Sequence, residues 1–116
     1  MSEGSPLLRT STGLEAGKTV IYVRGEIDAS TSSLLEAAIR RAMVGARHIV
    51  VDLSAVSFLD SAGLVVLISA LSILEERGDE LVLRSPSERV RRTLEITHLN
   101  ERFALDPVAP GSGRRV

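Results

Sequence analysis

The feature that most constrains this fold is a strand-like apolar run that leads directly into a helical one. Residues 48–54, HIVVDLS, are apolar at nearly every position, which is typical of a strand buried on both faces of a parallel sheet. Residues 55–59 continue the strand into a turn, and residues 61–77, SAGLVVLISALSILEER, place apolar residues at helical spacing. A strand joined this closely to a helix indicates an α/β fold.

The remaining segments supply partners for this strand and helix. Further strands are predicted at residues 18–25 (KTVIYVRG), 80–85 (ELVLRS) and 103–105 (FAL), with a possible partner strand at 7–12. Further helices are predicted at residues 34–44 and 90–97. Connections this short imply right-handed crossovers, so we expect a mixed, partly parallel sheet of about four to five strands packed against helices.

The segment SPSE predicts the start of the last helix. Ser85 would be its N-cap, Pro86 would occupy the first helical position, and Glu88 would complete a capping box.

The chain length predicts one domain, because 116 residues suit a single core. We expect that domain to span residues 1–107, and the tail at 108–116 to be disordered. Aromatic residues are only 3% and the C-terminal arginines are scattered, which disfavours direct nucleic-acid binding. There is no cysteine and no apolar run long enough to cross a membrane. We therefore expect a soluble, cytoplasmic protein without disulfides or thiolate metal sites.

The long helix carries more apolar residues than one buried face needs. One predicted core stripe consists of Leu64, Leu67, Ile68, Leu71 and Leu74. A second stripe, on the opposite side, consists of Ala62, Val66, Ser69 and Ile73. Either a neighbouring helix covers this second stripe, or it is a docking surface for another protein.

Ser61, where the strand gives way to the helix, has three possible roles: helix cap, catalytic nucleophile or modification site. Asp60 and Ser61 could each cap the helix, so one of them is sufficient. A nucleophile needs a base, yet the only histidines are His48 and His98. The string D-S-A-G also lacks the first glycine of a nucleophile elbow, and the chain has no P-loop or metal-spaced cluster. Catalysis by this chain is not expected.

Gly63 disfavours the first helical turn by about 1 kcal/mol relative to alanine. Its presence predicts that another group approaches the backbone closely there. A small exposed serine beside such a glycine suits entry into the active site of a modifying enzyme.

Three segments of the sequence together resemble the STAS domain of bacterial anti-sigma factor antagonists. They are VRGEIDASTSSLLEAAIRRA, HIVVDLSAVSFLDSAGLVVLISAL and ELVLRSPSERVRRTLEITHLNERF. The resemblance covers about residues 8–106 and includes matches at Gly25, Glu26, Asp28, Asp60, Ser61, Gly63 and Leu64. It departs at Ala62, where the family often has a second hydroxyl residue, which leaves Ser61 as the unambiguous acceptor.

The resemblance implies a partner-switching module, and the lack of catalytic and ligand motifs predicts that it is not an enzyme and has no cofactor or tightly bound metal. In that family the unmodified antagonist binds an anti-sigma factor, a serine kinase with a histidine-kinase-like ATPase fold, and so releases a sigma factor. The kinase then phosphorylates the serine after the aspartate, here Ser61, and a metal-dependent serine phosphatase reverses the modification. The expected partner-binding residues are Gly25, Glu26, Asp28, Asp60, Ser61, Ala62, Gly63, Val66, Ser69 and Ile73.

Two positions in the predicted sheet bring further residues to Ser61. The loop from Gly25 to Ser30 follows a strand end, as Ser61 does, so Glu26 and Asp28 should lie near Ser61.

Two alternative functions stay open: the same fold in a stressosome-type scaffold or lipid-transport accessory subunit, and a small serine hydrolase that uses Ser61.

Overall fold

The structure, a computed structural model, describes residues 7–106 as a five-stranded sheet with three α-helices. The strands are β1 (Leu8–Glu15), β2 (Lys18–Ile27), β3 (His48–Leu59), β4 (Glu80–Arg84) and β5 (Ala104–Asp106). The helices are α1 (Ser32–Met43), α2 (Ser61–Glu76) and α3 (Glu88–Ile96), with a 3₁₀ turn at Leu99–Glu101. The tail predicted at 108–116 lies outside the described residues.

The five strands follow one another across the sheet in chain order. β1 and β2 form an antiparallel pair, whereas β2–β3, β3–β4 and β4–β5 are parallel. β3 is central, and its residues Ile49–Leu53 are all buried, as the apolar run predicted. The predicted α/β fold with a mixed, partly parallel sheet is confirmed.

The core lies between one face of the sheet and the helices. Alternate strand residues such as Ile21, Val51 and Leu83 join buried residues of the helices in a single cluster. The intervening residues of the same strands, such as Tyr22 and Arg84, point to the opposite face of the sheet. Within residues 7–106 the three α-helices pack their buried side chains into the one cluster, so this opposite face has no helix over it.

The start of α3 differs from the predicted capping box. Its N-cap is Ser87, whose hydroxyl accepts a hydrogen bond from the Val90 amide at 3.4 Å and donates one to the Val56 carbonyl at 2.8 Å. Ser85 instead has a positive φ of 51° and turns the chain at the end of β4. Because the helix begins two residues later, Glu88 is its first residue and cannot complete a capping box.

Candidate functional site

The loops after β2 and β3 meet at one edge of the sheet. Glu26 is in parallel register with Phe58, and Ile27 with Leu59, so both strands end side by side. The Asp60 amide donates a hydrogen bond to the Ile27 carbonyl at 3.1 Å, which fastens the second loop to the end of the first strand. The structure therefore brings the loop after β2 and the start of α2 to the same edge, as the parallel arrangement predicted. The loop is shorter than the predicted Gly25 to Ser30, because β2 continues through Ile27 and so contains Gly25 and Glu26.

Asp60, not Ser61, is the cap of α2. Its carboxylate accepts hydrogen bonds from the backbone amides of Ala62 at 2.9 Å and Gly63 at 3.4 Å. Ser61 is the exposed first residue of the helix, and its hydroxyl makes no hydrogen bond to any other residue of 7–106. The fold thus uses the aspartate for helix capping and leaves the serine hydroxyl available for chemistry from outside.

The two glycines at this edge are required by close packing inside the protein. A Cβ on Gly63 would lie 2.4 Å from Leu59 Cδ1 and 2.5 Å from Ile27 Cγ2. A Cβ on Gly25, which has a φ of 117°, would lie 1.9 Å from the Leu7 carbonyl oxygen. The close approach predicted at Gly63 is therefore made by the side chains of β2 and β3, and Gly63 itself is buried. This packing fixes the position of the helix start that presents Ser61.

The carboxylate of Asp28 holds its own loop together. Its Oδ1 accepts hydrogen bonds from the Ser30 hydroxyl at 2.7 Å, the Ser30 amide at 2.9 Å and the Thr31 amide at 3.1 Å. These bonds, the Ser30 hydroxyl first, hold the pKa of Asp28 below its ordinary value. Glu26 is exposed and forms no ion pair within residues 7–106. Of the two acids predicted to face a partner, Glu26 is the one whose carboxylate is uncommitted.

The second apolar stripe of α2 is divided between a helix contact and an exposed surface. Val66 is half-buried against the core and, with Met43 of α1, lines a cavity of about 220 Å³ between the two helices. Ser69 and Ile73 line the rim of the same cavity but are exposed, Ile73 by 44%. Ala62 is half-buried. Val66 therefore lies against α1, as the first explanation of the stripe required, whereas Ser69 and Ile73 stay exposed; their role in docking remains a prediction.

Two exposed apolar residues at this edge were missing from the residues predicted from sequence. Val65 is 61% exposed on the same helical face as Ser61, one turn along. Phe58, in register with Glu26, is 39% exposed. Val65 could have been found by centring the helical wheel on Ser61. Phe58 could have been found from strand alternation, because the buried Leu59 follows it directly. We call Glu26, Phe58, Ser61, Val65, Ser69 and Ile73 the Ser61 surface.

Neither histidine is placed to serve Ser61 as the base that a hydrolase needs. His48 begins β3, at the opposite end of the strand from Ser61, and its ring nitrogen lies 3.3 Å from Glu80. His98 precedes the 3₁₀ turn that leads to β5 and makes no hydrogen bond to Ser61. Residues 7–106 contain no cluster of three or more His, Cys, Asp or Glu side chains that could hold a metal ion. No helix in that part of the chain is long and apolar enough to cross a membrane.

Comparison with known proteins identifies the family to which the chain is similar and several relatives that share one name. A family model described as "STAS domain" matches residues 6–111. The anti-sigma-B factor antagonist of Listeria monocytogenes is 40% identical over 82 residues, which cover 70% of this chain and 72% of that protein. Its counterpart in Staphylococcus aureus is 35% identical over 82 residues, 70% of this chain and 76% of the relative.

Solved structures have the same architecture. An anti-sigma factor antagonist from Mycobacterium paratuberculosis superimposes with a TM-score of 0.78 at 32% sequence identity, covering 89% of this chain and 88% of the other. The anti-sigma factor antagonist SpoIIAA in its unphosphorylated form has a TM-score of 0.70 at 22% identity, covering 84% and 87%. That likeness shows the fold alone.

Proposed function

This chain belongs to the STAS domain family, and we propose that it is an anti-sigma factor antagonist whose binding to its partner is switched off by phosphorylation of Ser61. In its unmodified form it binds an anti-sigma factor, a serine kinase with a histidine-kinase-like ATPase fold, and so releases a sigma factor. The kinase phosphorylates Ser61 and dissociates, and a serine phosphatase restores the binding form. The chain acts by protein binding in the cytoplasm and catalyses nothing itself.

One observation carries this proposal: Ser61 is exposed at the first position of α2, and its hydroxyl makes no hydrogen bond to the rest of the described chain. A structural serine at a helix start would accept a bond from a first-turn amide, and here Asp60 does so. The relatives' names, anti-sigma-B factor antagonist, supply the class of partner.

The charges around Ser61 explain why phosphate would end the complex. Phosphorylation adds about −1.5 to −2 charge units at pH 7, directly beside the Asp60 carboxylate. The sequence contains no lysine or arginine between Arg47 and Arg77, so neither β3 nor α2 supplies a cation to neutralise the phosphate. A partner surface matched to a neutral serine would meet repulsion and desolvation cost.

The same geometry lets the fold survive the modification. The phosphate would stand at the N-terminus of α2, where the helix dipole favours negative charge. The first-turn amides keep their Asp60 partner. The SpoIIAA protein has also been solved in a phosphorylated form with this fold, at a TM-score of 0.64 and 21% identity, covering 84% of this chain and 90% of the other. Release therefore needs no large conformational change.

The Ser61 surface supplies the apolar contact area of the proposed interface. Phe58, Val65 and Ile73 are large and exposed. Val65 lies on the helical face of Ser61, Phe58 lies on β3 three residues before it, and Ile73 lies about three turns along α2 on the second stripe. Glu26 adds an uncommitted negative charge that a basic patch of the kinase would match. The other expected partner-binding residues are Gly25, Asp28, Asp60, Ala62, Gly63 and Val66, and we assign to them the shaping of the backbone and helix on which this surface depends.

Substitution of Ser61 tests the switch. Ser61→Ala should bind the kinase persistently, and this variant serves as bait to capture it from a cell extract. Ser61→Asp should bind more than a hundredfold more weakly, about 3 kcal/mol, because of the added charge. Titration of the purified kinase by calorimetry measures both affinities. Thr12→Asp adds the same charge at an exposed position of β1; it is the control and should bind like the unsubstituted protein.

Mass spectrometry after incubation with that kinase and ATP locates the phosphate. It should lie on Ser61. Phosphate on Ser54, Ser57 or Ser69 instead, or a phosphorylated form that binds as tightly as the unmodified one, would contradict the mechanism.

Substitution of Val65 tests the docking surface. Val65→Glu should weaken kinase binding at least tenfold and leave the thermal transition nearly unchanged, because the side chain is 61% exposed. Ile96→Glu is the matched control, since Ile96 is 72% exposed on α3 and lies outside the Ser61 surface. If the two variants bind the kinase with equal affinity, Val65 of α2 is not part of the interface.

A further inference from the structure

The open face of the sheet, opposite the helices, contains a groove of about 920 Å³. β1, β2 and β3 form its floor, and Arg84 of β4 closes one side. Its lining includes the exposed side chains of Arg9, Ser11, Tyr22 and Arg24. The Ser61 surface contributes no residue to this lining, so the groove is a separate feature of the molecule.

One side of the groove is a fixed network of charges around Arg84. This guanidinium contacts Glu15 at 2.8 Å and Asp52 at 2.9 Å, and lies 5.8 Å from the centre of the Tyr22 ring. The Tyr22 hydroxyl in turn donates to Glu15. Tyr22 is thereby held at both its ring and its hydroxyl, while 37% of its surface remains exposed to the groove. It forms a rigid aromatic wall.

The other side of the groove holds two arginines that have no carboxylate partner among residues 7–106. Arg9 and Arg24 are directly opposite each other on antiparallel strands, which puts their Cβ atoms roughly 5 Å apart. Neither forms an ion pair within residues 7–106, whereas seven other arginines there do. Like charges opposite each other destabilise a sheet. The fold therefore keeps two cations together without an internal anion.

From this arrangement we propose that the groove binds a small organic phosphomonoester. Its phosphate would lie between the guanidinium groups of Arg9 and Arg24, whose planar forks match phosphate oxygens in bidentate geometry. One doubly charged group with three free oxygens satisfies both cations, which a single carboxylate does not. Its organic part would extend two residues along the strands, against the ring of Tyr22 and the hydroxyl of Ser11, which is opposite Tyr22.

Phenyl phosphate and inorganic phosphate are the two probes that test this site. Backbone amide shifts of the full chain, followed by NMR at low salt, give the affinity for each. Phenyl phosphate should bind at least fivefold more tightly than inorganic phosphate, with the largest shifts on β1 and β2. Equal affinity for the two probes would contradict the proposed contact between the organic part of the ligand and the groove. Shifts confined to the helices would show that phosphate does not bind in the groove.

Arginine variants assign the binding to the pair. Arg24→Gln and Arg9→Gln should each lose at least tenfold in affinity while the melting temperature stays the same or rises, because the repulsion between the two arginines is relieved. Arg41→Gln is the matched control, since Arg41 is also exposed and unpaired within the described residues but lies on α1. Equal losses in all three variants would show general charge attraction and overturn the proposal. Kinase binding through Ser61 is measured separately, and neither result decides the other.

Discussion

The Ser61 edge of the sheet and its open face use charged residues in opposite ways. At the edge, the carboxylates of Asp60 and Asp28 accept hydrogen bonds from backbone amides and hydroxyls, and no basic side chain of residues 7–106 pairs with them. On the open face, Glu15 and Asp52 both pair with Arg84. The comparison teaches that negative charge added at the edge has no cation of β3 or α2 to pair with, whereas the open face carries Arg9 and Arg24 side by side on β1 and β2.

The two regions also differ in what they hold together. The carboxylates at the edge are local: each organises a loop or helix start within three residues of itself. The Arg84 network joins β1, β3 and β4, and its hydrogen bond to Glu15 spans 69 residues of the chain. Loss of the network should therefore affect the whole sheet, whereas loss of an edge carboxylate should affect one element.

The largest effect on stability is expected from Arg84→Met. This change leaves the Asp52 carboxylate, whose side chain is 12% exposed, without its cation. The free energy of unfolding should fall by about 2 kcal/mol, since a hydrogen bond to a charged group is lost in a partly buried site. Urea denaturation measures it. Kinase binding should be unchanged, and a parallel loss of binding would show that the face and the edge are coupled.

A smaller effect is expected at the edge, where two adjacent residues can be compared directly. Asp60→Ala should destabilise the protein by about 1 kcal/mol, because α2 loses its cap. Ser61→Ala should change stability by no more than about 0.5 kcal/mol, as is usual for an exposed residue. Equal losses for the two variants, measured in the same urea titration, would mean that Ser61 also caps the helix.

The smallest effect on stability is expected from protonation of Glu15 at low pH. Hydrogen bonds from Arg84 and then from Tyr22 lower the pKa of Glu15 below 4.5, its ordinary value. A lowered pKa in the folded state means that the unfolded state binds protons first as the pH falls. Stability from Glu15 is therefore present above about pH 4.5 and is lost as the pH falls through the folded pKa.

Comparison of two variants over that pH range isolates this contribution. The loss of stability below pH 4.5 should be shallower in Arg84→Met than in the unsubstituted protein, because the variant lacks the main cause of the shift. Exposure of Glu15, 44% at its side chain, keeps the difference small through solvent screening. Identical pH profiles would mean that Glu15 and Arg84 do not pair in solution.

The sequence by itself determined the central strand, the helix after it and the position of Ser61 between them. These follow from periodicity, which depends only on neighbouring residues: a continuous apolar run indicates a buried strand, and spacings of three and four indicate a helix. The meeting of the two loops at one edge was also predicted, since it follows from the parallel arrangement of the strands.

The tertiary structure decided which of several equivalent residues takes each role. Asp60 and Ser61 were equal candidates for the cap, and the backbone geometry selected Asp60. Gly63 is required because Ile27, from a different strand, fills the space where its Cβ would be. The Arg84 network was not foreseen, because its members are far apart in sequence and meet only when β1, β3 and β4 lie side by side. Local patterns fix the elements, whereas contacts between distant residues depend on how those elements pack.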